Sequence, residues 1–246
     1  MARFVLVHGA FAGAWCWEPL AGELERAGHR VEAIDMPGSG EDHTPLAEVT
    51  LDAYAERICQ ALRSQPQRAI LVGHSMGGVA ITQAAVRCRE QVALLVYVTA
   101  FMPRDGQSLL DLAWLPEGAD DLVQANIVVE GDPPVATMPA SAMREAVMAN
   151  CTEEQLTWVN ARVRPQPVAA FAMPVSIPSG SLDGLQRAYV YCSADRAIPP
   201  ALQRRMMREN PCVGVVELET DHSPHLSATS QLAAALERFT RFAAGP

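Results

Sequence analysis

Three residue types far apart in this chain could together make an alcohol oxygen nucleophilic: Ser75, Asp195 and His222. Ser75 is the centre of Gly73-His74-Ser75-Met76-Gly77, a G-x-S-x-G between the apolar run Ala69-Ile70-Leu71-Val72 and a helix-like run from Gly78 to Cys88. A serine on a sharp strand-to-helix turn is exposed and close to backbone donors. Serine is a weak nucleophile near neutrality, so it needs a base and a group that orients the base. His222 follows the apolar run Val213 to Leu218, on a loop after a late strand. An imidazole there, with an ordinary pKa of roughly 6.5, can take up and return a proton. His225, three residues on, competes for this role; its plainer reading is a polar residue near the start of the last helix. Asp195 follows the apolar run Ala188 to Cys192, so its carboxylate is expected to bond the far ring nitrogen of His222 and fix the tautomer. Asp221 and Asp183 are alternatives, the first adjacent to His222 and the second before the strand, at the opposite end of the sheet.

A developing oxyanion needs two backbone N–H donors. Met76, directly after the serine, supplies one, and the loop after the first strand supplies the other, at Ala10 in His8-Gly9-Ala10-Phe11. His8 and His74 read as structural, through ring hydrogen bonds to backbone, and His29 and His43 as loop residues. Phe11, Phe101 and Trp114 are expected pocket walls.

These side chains must be positioned by a sizeable core, and 246 residues with 49% hydrophobic content suffice for one. A net charge of -9 argues against a nucleic-acid partner. Every basic side chain is arginine, which excludes lysine Schiff-base chemistry. Cys16, Cys59, Cys88, Cys151, Cys192 and Cys212 are scattered without a C-x-x-C pair, so neither a zinc ribbon nor a redox dithiol is expected, and no other metal or cofactor is implied. Most read as small buried hydrophobes with free thiols. The start of the chain lacks a signal-peptide layout. The longest apolar stretch, Val92 to Met102, is too short to cross a bilayer, so no membrane partner and a cytoplasmic protein are expected.

Phe4 to Val7, Arg30 to Ile34, Ala69 to Val72 and Val92 to Val98 read as strands. They alternate with helical spacing at Leu20 to Ala27, Leu51 to Arg63 and Gly78 to Cys88. That alternation predicts a mostly parallel, doubly wound α/β sheet. Strand–helix alternation resumes at Ala188, with a final helix from Ser230 to Phe242. Between lies a proline-rich region with helical stretches at Ala140 to Met148 and Glu153 to Val163 and no strand alternation. The expected organisation is a single domain, with a core of 1–102 and 183–246 and a mostly helical cap insertion over about 103–182. Apolar insertion residues, among them Val128, Val129, Met138, Met143, Val147, Met148, Trp158, Phe171 and Met173, are expected to divide between cap packing and a pocket.

Several segments carry a family resemblance. Phe4-Val5-Leu6-Val7-His8-Gly9-Ala10 with Gly13-Ala14-Trp15-Cys16-Trp17, Ile34-Asp35-Met36-Pro37-Gly38-Ser39-Gly40, Ile70 to Gly78, Ala100-Phe101-Met102-Pro103 and Asp195-Arg196-Ala197-Ile198-Pro199 resemble α/β-hydrolases. The likeness is to the plant methylesterase and hydroxynitrile lyase group with its bacterial esterase relatives. It runs through nearly the whole chain and fades across roughly 104–150. It implies an α/β-hydrolase fold, with triad and oxyanion positions at Ser75, Asp195, His222, Ala10 and Met76, and a structural, turn-closing role for Asp35. Hydroxynitrile lyases of the group carry lysine where Ser223 stands and tend to have threonine at the position of Ala10, and both departures favour ester hydrolysis. The expected activity is therefore a serine carboxylesterase acting on small to medium esters. Cyanohydrin or carbon–carbon bond cleavage on the same scaffold, and a small-molecule receptor without activity, are the alternatives. A homodimer is compatible with this reading.

Overall fold

The structure, a computed structural model, describes residues 1–243. Strand β1 (Arg3–Val7) forms because its apolar side chains can be buried on both faces. Phe4 and Leu6 face one core cluster, and Val5 and Val7 the other. Around it lie β2 (Arg30–Ile34), β3 (Ala69–His74), β4 (Val92–Val98), β8 (Arg187–Cys192) and β9 (Gly214–Leu218). The order across the sheet is β2-β1-β3-β4-β8-β9, and every neighbouring pair is parallel. The C-terminal ends of β1, β3, β4, β8 and β9 therefore open toward one edge, and each candidate residue follows one of those ends.

Helices pack on both faces. Helix α1 (Glu18–Arg26) and the terminal helix α11 (Thr229–Ala243) cover the Phe4/Leu6 face. Helices α2 (Leu51–Arg63), α3 (Gly77–Arg87) and α9 (Pro200–Glu209) cover the other. The α2 stripe of Leu51, Tyr54, Ala55, Ile58, Cys59 and Leu62 is wholly buried, as its spacing predicts. Thr50 caps this helix by accepting the Ala53 N–H at 3.0 Å. At the other end the buried Arg3 guanidinium donates to the Leu62 carbonyl at 2.9 Å and to the Ala61 carbonyl at 2.5 Å, the latter also accepting the Ser64 N–H at 3.2 Å.

The chain between β4 and β8 departs from expectation in one respect. It contains the short helices α4 (Leu109–Ala113), α5 (Leu122–Asn126), α6 (Ala140–Val147), α7 (Glu153–Asn160) and α8 (Ala169–Ala172), but also a three-stranded antiparallel sheet. Its strands are β5 (Val128–Glu130), β6 (Val135–Thr137) and β7 (Gln166–Pro167). Strands of two or three residues are too short for an alternating pattern to register, and β7 pairs across a long sequence gap.

The expectation of free thiols is also corrected, for one pair. Cys59 on α2 and Cys88 at the end of α3 form a disulfide, with their Cα atoms 5.8 Å apart. They are distant in sequence, and only the packing of α2 against α3 brings them together. Cys16, Cys151, Cys192 and Cys212 are free. No helix among the described residues is long and apolar enough to cross a membrane.

Candidate active site

Ser75 sits between β3 and α3 with φ of +53°, a strained value for a residue with a side chain. The turn is held by its neighbours' lack of side chains. A Cβ on Gly73 would lie 2.7 Å from the Gly77 backbone, and one on Gly77 would lie 2.8 Å from the carbonyl oxygens of Val7 and His8. The Ser75 carbonyl accepts the Gly78 and Phe101 N–H groups, both at 3.1 Å, which ties the turn to the end of β4.

Asp195 lies in the turn after β8 with its side chain fully enclosed. Oδ2 accepts the Nδ1–H of His222 at 2.7 Å. It also accepts the Thr99 hydroxyl and, at 3.4 Å, Gln203 Nε2. Oδ1 accepts the Ala197 and Ile198 N–H groups at 2.7 and 2.9 Å. The carboxylate is thus fixed from both sides, and the bond to Nδ1 leaves His222 Nε2 as the basic nitrogen. Burial pushes the His222 pKa down, but the charge and hydrogen bond of Asp195 outweigh it, with help from Asp221 and Asp121, so the net shift is upward. Ser75 Oγ and His222 Nε2 are not hydrogen-bonded to each other, and apo geometry of this kind does not by itself exclude a base.

The alternatives occupy other roles. Asp221 accepts the Asn150 N–H at 2.7 Å, the Ser223 N–H at 3.1 Å and the Ser227 hydroxyl at 2.6 Å. Asp183 lies in the turn before β8. His225, on the short helix α10 (Pro224–Ser227), is buried between Trp17 and His74, with ring centroids 5.0 and 4.6 Å away. Burial and the nearby His222 push its pKa down to about 3, so it is neutral.

Two histidines of the motifs bond backbone, as expected. His74 Nε2–H donates to the His222 carbonyl at 2.8 Å, linking the serine turn to the loop that carries the base. Burial, with His225 and His222 nearby, holds the His74 pKa well below the usual value. His8 accepts the Met36 N–H at Nε2 (3.2 Å), so its Nδ1–H donates to the Gly9 carbonyl at 2.7 Å. A peptide unit is rigid and trans, so fixing the Gly9 carbonyl also fixes the opposite direction of the Ala10 N–H. Neither the Ala10 nor the Met76 N–H donates to another group among the described residues. Asp35 closes its turn by accepting Ala14 N–H at 2.6 Å and Glu41 N–H at 3.2 Å. His29 lies in the loop between α1 and β2, where its Nδ1 accepts the Ala2 N–H at 3.0 Å and its Nε2 meets Glu237 of α11. His43 contacts Arg164.

A cavity of about 310 Å³ opens beside Ser75. Ala10, Met76, Phe11, Phe101 and Trp114 all line it, together with insertion residues including Val129 and Phe171. Trp114 forms its outer rim, being 68% exposed. Of the other apolar insertion residues, Met143 and Met148 are buried in the core, Met138, Val147, Trp158 and Met173 pack against it, and Val128 is exposed. The sequence reading missed four contributors: Thr99 and Gln203, which hold Asp195, and Asp121 and Gln124, which line the cavity. Only the position of Thr99 just after β4 could have signalled the first of them. Among the described residues no group of three or more His, Cys, Asp or Glu is arranged to hold a metal ion.

Known proteins resemble this chain over nearly its whole length. The model of the alpha/beta hydrolase family matches residues 4–235. Putative methylesterase 13, chloroplastic, of Arabidopsis thaliana is 32% identical over 94% of this chain, which spans only 54% of that longer relative. Methylesterase 7 of the same plant is 31% identical, over 95% of this chain and 94% of its own. The carbendazim hydrolyzing esterase of Nocardioides sp. (strain SG-4G) is 31% identical, over 95% and 97% respectively. Among solved structures, polyneuridine aldehyde esterase superposes with a TM-score of 0.87 at 27% identity, covering 98% of this chain and 99% of that one. By sequence and by architecture the chain belongs to the α/β-hydrolase family, in its methylesterase-like group.

Proposed function

We propose that the protein is a serine carboxylesterase acting on small to medium esters through an acyl-enzyme. The carrying observation is the Asp195–His222 pair at 2.7 Å, on the loops that flank a strained serine at the floor of an apolar cavity. In this reading His222 Nε2 takes the Ser75 proton as Oγ attacks the ester carbonyl. The N–H groups of Ala10 and Met76 hold the oxyanion. His222 returns the proton to the departing alkoxide, which leaves as the alcohol, and then activates a water that releases the acid. Asp195 keeps the imidazole oriented and stabilises its charged form. Segment 103–182 acts as a cap whose inner side chains shape the acyl and alcohol sites. The methylesterase and esterase names of the relatives support ester hydrolysis over cyanohydrin cleavage. The proposal includes a cytoplasmic location and a homodimer, which cell fractionation and sedimentation velocity test.

Ser75→Ala is expected to lower kcat on p-nitrophenyl acetate by about 10⁶-fold, the loss seen when a triad serine is removed. A fluorophosphonate probe should label the native protein and not the variant. Hydrolysis at the native rate in purified Ser75→Ala would refute the assignment.

A further inference from the structure

We infer that Asp121 makes the cavity a site for a cationic group, so that the preferred substrates are apolar esters carrying a protonated amine. This builds on the esterase reading for the position of the ester bond, but the cation site itself stands on separate observations. Among the described residues, the polar side chains lining the cavity besides Ser75 and the Trp114 indole are Asp121 and Gln124. Asp121 is 6% exposed. Its Oδ1 accepts the Val123 and Gln124 N–H groups at 2.7 and 3.1 Å, and its Oδ2 accepts Gln124 Nε2 at 3.1 Å. Each of these partners gives a proton and none accepts one, which is the arrangement an ionised carboxylate requires. Among the described residues no arginine forms an ion pair with it.

A charge buried in apolar surroundings is costly unless it is paired. Capping α5 does not account for it, because serine or asparagine would cap equally well without bringing a charge indoors. Burial pushes the Asp121 carboxyl up from its usual range, and the N–H donors offset this only in part. The one titratable cation coupled to Asp121 is His222, which is uncharged whenever it serves as the base, so an ammonium group on a substrate seated beside Ser75 supplies the countercharge that is then missing. The rest of the wall is apolar and accepts a hydrocarbon or aromatic body. An ester bearing a second, anionic carboxylate would be repelled, and the net charge of -9 acts in the same direction at long range.

The test uses three methyl phenylacetates of similar size, with 4-aminomethyl, 4-ethyl and 4-carboxymethyl substituents, on the full chain at neutral pH. In the native protein kcat/KM should fall in the order cationic, neutral, anionic, with the first exceeding the second by about tenfold, as for a hydrogen bond to a charged group. In Asp121→Asn and Asp121→Ser, which both retain a capping oxygen, the cationic-to-neutral ratio should fall toward one. Calorimetric titration of the native protein with the matching N-methyl amides reads the same preference without turnover and without a variant. Equal affinity for the cationic and neutral amides, or a cationic preference that survives in both variants, overturns the inference. Failure to hydrolyse any of the three esters, with the cationic preference intact in calorimetry, would remove the esterase reading and leave the cation site standing.

Discussion

On the proposed mechanism the working pH range depends on one nitrogen, His222 Nε2, which must be unprotonated to accept the serine proton. The carboxylate of Asp195 raises the histidine pKa above its ordinary value against the opposing effect of burial. Activity is therefore expected to fall as the pH drops through a midpoint above roughly 6.5. Asp195→Asn removes the charge that causes the upward shift. It should move this acid limb to lower pH and cut kcat by about 10⁴-fold. A pH–rate profile of both proteins on a neutral ester reads both effects, and an unmoved acid limb would separate Asp195 from the base. The stability linkage has a definite sign. The folded state binds the His222 proton more tightly than the unfolded chain does. That contribution is complete below the unfolded pKa and is lost as pH rises through the folded one.

At the level of elements, Ser75 is held in its turn because α3 approaches the sheet more closely than a side chain would allow. Gly77→Ala would drive a Cβ to 2.8 Å from the carbonyls of Val7 and His8 at the end of β1. We expect it to destabilise the fold by about 1–3 kcal/mol, as overpacking does, and to displace the serine. Urea denaturation beside an active-site titration would show both losses, and native stability would contradict the close contact. The same elements explain which features were legible in the sequence. Ser75, Asp195 and His222 each follow a continuous apolar run, and such runs mark buried strands whatever surrounds them. Asp121 gave no such signal, because it follows no apolar run and caps a helix of only five residues. The hairpin of β5 and β6 was hidden by its three-residue strands and by the prolines between them. The Cys59–Cys88 pair was hidden because helix–helix packing, and not sequence spacing, brings the two sulfurs together. His74 was read as a backbone-bonding residue, but its particular acceptor, the carbonyl of the base itself, requires knowing where the last loop lies.

For the molecule as a whole, a group of neutral buried histidines creates a sensitivity to acid. His8, His74 and His225 all have pKa values pushed down by burial, that of His225 to about 3. Unfolding would return each to roughly 6.5, so below that pH the unfolded chain takes up protons that the native state refuses. Each such histidine should cost up to about 1.4 kcal/mol per pH unit until its folded pKa is reached, with His222 opposing in sign. Urea midpoints should therefore drop between pH 7 and pH 5, and less steeply in His225→Phe, whose ring suits the niche against Trp17. Equal pH slopes in the two proteins would count against a neutral His225.

The segment between β4 and β8 is joined to the catalytic loops through main-chain atoms. The Arg164 N–H donates to the carbonyl of Phe11, itself held at φ +65°, the Asn150 N–H reaches Asp221, and Gln155 reaches the Leu226 carbonyl. This stretch is consequently not a detachable lid that could be trimmed to leave a simpler working hydrolase. New substrate preferences are more readily acquired by exchanging its inward-facing side chains one at a time, because grafting a foreign segment would break the ties to Phe11, Asp221 and Leu226 that hold the neighbouring loops in register.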